Sequence, residues 1–137
     1  ISINSEIGKL VLKPNESISK MDSPLKPFYY LANKAIKDQN EGLEIEIESE
    51  IPLGAGLGSS SACCVAGAAA IFKLFGKISK EKILEYAIEA EKTIYQNTSG
   101  ADCTVSTYGG LMEYDKNNGF KKIFRKRHKK SNSLSPN

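Results

Sequence analysis

The sequence predicts an α+β domain, because segments of period two alternate with segments of period 3.6 and the regular part ends in a hairpin pattern. Leu43, Ile45 and Ile47 alternate with Glu44, Glu46 and Glu48, as in a strand with one face on a core and the other in water. Between residues 27 and 39, Phe28, Leu31, Ala32, Ala35 and Ile36 recur instead at helical spacing, with Pro27 early, where its missing N–H does no harm. Residues 110–114 and 120–124 read as strands joined by the turn sequence Asp115-Lys116-Asn117-Asn118-Gly119.

The other elements follow from similar signals. Residues 7–12 (IGKLVL) are short, apolar and rich in β-formers, and Lys13-Pro14-Asn15 breaks them, which predicts a strand and a turn. After Pro52 comes a glycine loop and then an alanine-rich helix through Phe75, halted by Gly76. That helix is apolar on nearly every side and is expected to be buried all round, its small residues letting backbones approach closely. Ser79 is the predicted N-cap of a further helix carrying Ile83, Leu84, Ala87, Ile88 and Ala90, with Lys82 where a capping box would have Glu. This helix should end near Tyr95; the polar piece Gln96-Asn97-Thr98-Ser99-Gly100 is a loop, and a short helix from Ala101 to Tyr108 follows. There is no internal repeat.

A length of 137 residues suits one domain, and 40% hydrophobic with 26% charged residues argues against a disordered or fibrous chain. Seven of the 19 Lys and Arg fall between Lys121 and Lys130, so residues 1–120 hold 12 basic against 16 acidic side chains, a balance of −4. A nucleic-acid binder would spread its basic residues over a folded face, so nucleic acid is not an expected partner. Cys63, Cys64 and Cys103 form no C-x-x-C pair and read as buried thiols of a reducing compartment, and the lone His128 has no second ligand beside it. No leader pattern and no apolar run of about 18 residues occurs, which points to the cytoplasm and away from a membrane.

Gly54, Ala55, Gly56, Leu57, Gly58, Ser59, Ser60 and Ser61 carry the most specific chemistry. A glycine turn leading into a helix points free N–H groups and the positive end of the helix dipole at one place, where a phosphate can sit, and the serines add hydroxyls. No Lys follows the last glycine as in a Walker loop, and the spacing is not that of a dinucleotide fingerprint, so on this evidence alone a plain turn stays open beside a phosphate site. Glu91 and Asp102 are carboxylates suited to neutralising phosphate charge and to orienting an attacking hydroxyl. On local grounds Glu91 reads first as part of a solvated helix face, since Glu85, Glu89 and Lys92 crowd the same element, and Asp102 reads as a helix N-cap.

The run Pro52-Leu53-Gly54-Ala55-Gly56-Leu57-Gly58-Ser59-Ser60-Ser61-Ala62 resembles the P-x-G-x-G-L-G-S-S-x-A loop of the GHMP kinase superfamily. Residues Asn97-Thr98-Ser99-Gly100-Ala101-Asp102-Cys103-Thr104-Val105-Ser106-Thr107-Tyr108-Gly109-Gly110 are similar to the N-P-S-G-x-D-x-x-V-S-T-x-G-G stretch of its mevalonate kinase branch. Two separated motifs in the right order make the resemblance specific over roughly residues 43–114. It departs from the pattern at Thr98, where Pro is usual, and at Tyr95, where many members have His.

The resemblance implies a ribosomal-S5-like fold, that of the GHMP kinase N-terminal domain, in which a mixed sheet carries packed helices. It implies ATP and Mg²⁺ as cofactors, with residues 54–61 around the phosphates, Ser60 and Glu91 on the metal, and Asp102 as the catalytic group acting on the 5-hydroxyl of mevalonate. The expected partner is that small-molecule substrate, with a homodimer left open. Alternatives are another GHMP kinase, acting on phosphomevalonate or homoserine, and a non-catalytic nucleotide-binding or basic-tail interaction domain. The lysine-bearing first strand and the C-terminal glycine loop of the superfamily are not seen, so residues 1–124 are expected to be a kinase N-terminal domain incomplete at its start. Residues 125–137 are expected to be a disordered basic polar tail, and phosphoryl transfer by this chain alone is not expected.

Overall fold

The computed structural model describes residues 1–6, 8–11, 13, 23–36, 42–50, 59–115, 117 and 119–123. In chain order the elements are β1 (Ser2–Ser5), β2 (Gly8–Val11), α1 (Lys26–Ala35), β3 (Glu44–Ile47), α2 (Ser59–Leu74), α3 (Lys80–Glu91), α4 (Ala101–Tyr108), β4 (Leu111–Asp115) and β5 (Gly119–Ile123). β1 is the centre of a three-stranded sheet, antiparallel to β2 and parallel to β3, so the sheet is mixed. β4 and β5 pair as a separate antiparallel hairpin, shifted one residue toward the turn from the expected strands. The expected tail from residue 125 onward lies outside the described residues.

β1 is the one strand among these that has no expectation behind it. Its four residues, Ser-Ile-Asn-Ser, include only one strong β-former, and its pairing comes from tertiary context. Ile3 opposes Ile45 and is fully buried, while the glutamates of β3 face solvent as the alternation requires. The predicted strand over residues 7–12 is found as β2; Ile7 and Leu12 lie outside the described residues.

α1 starts with Pro27 in its first turn and presents two buried sides. Phe28 and Tyr29 join Ile3 and Leu25 against the sheet. Leu31 enters a second cluster with Cys64, Ala68 and Ile71 of α2, Ile83, Ala87 and Ala90 of α3, and Cys103 of α4. The Tyr29 hydroxyl leaves the core by donating to the Lys13 carbonyl at 2.8 Å, so the ring is buried without stranding its polar end. Contact with α2 is close: a Cβ at Gly67 would stand 3.3 Å from the Phe28 ring.

Burial of α2 all round is not what the fold provides. Ser61, Cys64, Ala68 and Ile71 form a covered stripe, whereas Ala66 and Ala70 are exposed and Leu74 is 68% exposed. A helix that is apolar on every side has no period from which its covered side can be read, and here α1, α3 and α4 pack against only part of it. On α3 the expected cap is present, with the Ser79 hydroxyl accepting from the Lys82 N–H at 3.2 Å. Hydrogen-bonded turns carry the chain from Glu91 to Tyr95, close to the expected end.

α1 and α3 are also joined at the surface. The Tyr30 hydroxyl donates to Glu89, and the Lys34 ammonium reaches the same carboxylate oxygen at 2.9 Å while lying 4.8 Å from the centroid of the Tyr86 ring. Burial alone would raise the Glu89 pKa, but the Tyr30 hydroxyl and Lys34 outweigh it and hold the carboxyl below its ordinary value. A carboxyl whose pKa falls on folding stabilises the fold above its unfolded pKa, and that contribution is lost as pH drops through the folded value. Both side chains are 37% exposed, which limits the pair to about 0.2–1 kcal/mol. Glu89→Gln should therefore cost about 0.2–1 kcal/mol in urea denaturation at pH 7, with the gap from wild type narrowing as the carboxyl becomes protonated in acid. A gap that stays constant with pH would contradict this account.

Candidate functional site

The site gathers where the first turn of α2, the last residue of α3 and the start of α4 meet. Glu91 ends α3 and is 4% exposed, so the solvated-face alternative does not hold. Its two carboxylate oxygens are taken by different elements. Oε2 accepts from the Ser61 hydroxyl on α2, and Oε1 accepts from the Thr98 hydroxyl in the loop before α4. Ser61 is itself 4% exposed, so this carboxylate–hydroxyl contact is sealed from water.

Two thiols stand beside it. Burial pushes the Cys103 thiol up to about 12, with the Glu91 charge adding and a hydrogen bond with Ser61 opposing. Burial likewise drives Cys64 far above the ordinary thiol value, again with Cys103 and Glu91 adding. Both are therefore neutral, weakly polar neighbours of the carboxylate; Cys63 is only partly buried, and all three cysteines are free. Among the described residues no Lys or Arg lies within ion-pair distance of Glu91. A buried carboxylate supported only by neutral hydroxyl and thiol neighbours among the described residues is an arrangement whose charge a cation would balance.

The loop from Gln96 to Gly100 builds the entry to α4. The Thr98 hydroxyl that donates to Glu91 also accepts from the Gly100 N–H at 3.3 Å, and the Ser99 hydroxyl accepts from the Ala101 N–H at 3.2 Å. Gly100, at φ +80, is the N-cap, and its carbonyl accepts from the Thr104 N–H at 2.9 Å and the Thr104 hydroxyl at 2.7 Å. Asp102 is thus inside the first turn of α4 and exposed, not the cap residue. A carboxylate there is favoured by the helix dipole. The next residue, Cys103, turns inward to Ser61 and Glu91, which sets the start of α4 beside the start of α2.

Of the expected phosphate-loop residues, Gly54, Ala55, Gly56, Leu57 and Gly58 lie outside the described residues. Ser59 opens α2, as a loop leading into a helix requires, and Ser60 is half-buried. The hydroxyl that meets Glu91 is that of Ser61; Ser60, one position earlier, stands about 100° round the helix. Among the described residues no three His, Cys, Asp or Glu side chains converge on one point. Mg²⁺ does not need such a cage, since it binds through one or two carboxylates while keeping waters and phosphate oxygens. The Thr98 contact is absent from the sequence reading, because nothing local shows that a loop threonine reaches back to the preceding helix.

A family model described as the N-terminal domain of GHMP kinases matches residues 25–110, more than half of the chain. The chain belongs to the GHMP kinases. It is 44% identical to the mevalonate kinase of Pyrococcus furiosus over 79 residues, covering 57% of this chain and 24% of that protein. To the mevalonate kinase of Archaeoglobus fulgidus it is 50% identical over 70 residues, 50% of this chain and 25% of that protein. The crystal structure of the Methanococcus jannaschii mevalonate kinase is similar with a TM-score of 0.70 and 26% identity, over 90% of this chain and 42% of that one. This GHMP kinase domain therefore spans about a quarter of the length of the curated relatives it matches, and the fold implied by the resemblance is the one found.

Gly100 is the hinge on which the placement of α4 turns. A Cβ there would stand 2.8 Å from Ile88 Cδ1 on a backbone at φ +80. Gly100→Ala should lose about 1–3 kcal/mol in chemical denaturation. Gly100→Asn, which tolerates the left-handed backbone but keeps the clash, should also be destabilised. Wild-type stability in both variants would contradict the packing described.

Proposed function

We propose that the protein containing these residues transfers the γ-phosphoryl group of ATP to the 5-hydroxyl of mevalonate. The observation that carries this reading is the buried Glu91 carboxylate, which lacks a cationic partner among the described residues and is hydrogen-bonded to the first turn of α2. Similarity to mevalonate kinases at 44% and 50% identity supports the choice of acceptor.

The donor set suits a hard cation: a buried carboxylate at Glu91 and a half-buried hydroxyl at Ser60 are the oxygen ligands that Mg²⁺ takes. When bound, Mg²⁺ would supply charge neutralisation on the nucleotide phosphates. The phosphates are assigned to residues 54–61, of which Ser59, Ser60 and Ser61 offer main-chain N–H groups in the first turn of α2. Asp102, exposed and beside that helix start, accepts the proton of the substrate hydroxyl as its oxygen bonds to the γ-phosphorus and the bond from that phosphorus to ADP breaks. Among the described residues no helix is long and apolar enough to cross a membrane, and the reaction is assigned to the cytoplasm.

In the full-length protein, Asp102→Asn should lower kcat by on the order of 10²–10⁴-fold and leave ATP affinity unchanged, as read by coupled ADP release and nucleotide titration. A variant turning over at near wild-type rate would remove Asp102 from the chemistry. Consumption of ATP with phosphomevalonate or homoserine, and not with mevalonate, would overturn the substrate.

A further inference from the structure

We infer that Thr98 and Ser61 are positioning residues for Glu91, a pair of hydroxyl clamps that fix its carboxylate so that the remaining lone pairs meet a divalent cation. The inference rests on the reading of Glu91 as a metal-holding carboxylate. An ionised carboxylate has about four acceptor positions on two oxygens. Ser61 occupies one on Oε2, Thr98 one on Oε1 and the Cys103 thiol one more at most, so acceptor capacity remains. The last torsion of a glutamate is broad and roughly two-fold, so one donor would leave the carboxylate plane free to turn. Two donors from separate elements, one on α2 and one in the loop before α4, hold it.

Thr98 does more than hold the oxygen. Its hydroxyl also accepts from the Gly100 N–H, so the Glu91 carboxylate and the cap of α4 share one side chain. Asp102 follows the cap by two residues, so the same hydroxyl ties the metal-holding acid to the start of the helix that carries the proposed base. Pro, the usual residue of the similar pattern at this position, has no hydroxyl and can make neither bond. Ser61 provides the opposite anchor from a site 4% exposed, where water cannot replace it.

The test uses the full-length protein with Mn²⁺ as probe and ADP present, free Mn²⁺ being followed by electron paramagnetic resonance. Thr98→Val and Ser61→Ala should each weaken Mn²⁺ binding by on the order of 10-fold, as removal of side chains that orient metal ligands does, while Thr98→Ser stays within about twofold of wild type. Turnover by Thr98→Val should recover at high Mg²⁺, separating metal affinity from kcat. Melting curves of the metal-free proteins report folding, and Thr98→Ala serves if Thr98→Val does not fold. Wild-type Mn²⁺ affinity in the Thr98 and Ser61 variants, with or without lowered melting temperature, overturns the clamp while Glu91→Gln still binds weakly. Wild-type affinity in Glu91→Gln as well removes Glu91 from the metal, and the clamp falls with it.

Discussion

Burial of one carboxylate governs how the three helices around it can be arranged. Glu91 sits at the C-terminal end of α3, where the helix dipole is unfavourable to an anion, and it is almost wholly withdrawn from water. Desolvating such a group costs several kcal/mol, and a hydrogen bond to a charged group returns about 1.5–3 kcal/mol, so two hydroxyl donors bring the balance near zero. Both donors must therefore be present and aimed. That condition binds α2 and the loop before α4 to the end of α3.

Small side chains make this convergence possible. Cys64 and Ala68 on α2, Ala87 and Ala90 on α3 and Cys103 on α4 are all fully buried, and none has more than one heavy atom beyond Cβ. Short side chains bring helix axes near the close end of the usual 8–10 Å range, which suits a serine whose reach is one atom past Cβ. The Gly67 contact with Phe28 extends the same close packing to α1, so the wall behind the site is continuous with the sheet core. Larger residues on this stripe would part the helices and leave Ser61 short of Glu91, a buried polar failure more costly than the volume change itself.

Legibility in the sequence followed the strength of local signals. β3, α1 and α3 carried clear periods, and Ser79 capped α3 as a serine before a helical run should. β1 was not legible, since its pairing with β3 depends on residues more than forty positions away and its composition favours no strand. The covered side of α2 was illegible for a different reason: uniform apolarity erases the contrast that a period needs. In the site, Glu91 and Asp102 were recognisable through the motif resemblance. Their opposite environments were not, because burial at the end of one helix and exposure at the start of another are decided by tertiary packing.

Those opposite environments match opposite duties under the proposed reaction. A group that holds a metal gains from being fixed, dry and hydrogen-bonded on its outer side, and Glu91 has those properties. A group that takes a proton from a substrate must be reachable, and Asp102 is exposed on the first turn of α4. Asp102 comes eleven positions after Glu91 in the chain, yet Thr98 joins the carboxylate of one to the cap of the helix bearing the other. Placing one acid in the packed interior and its neighbour on the adjoining surface lets a single rigid junction serve both, because the helix start is fixed by the same hydrogen bonds that satisfy the buried charge.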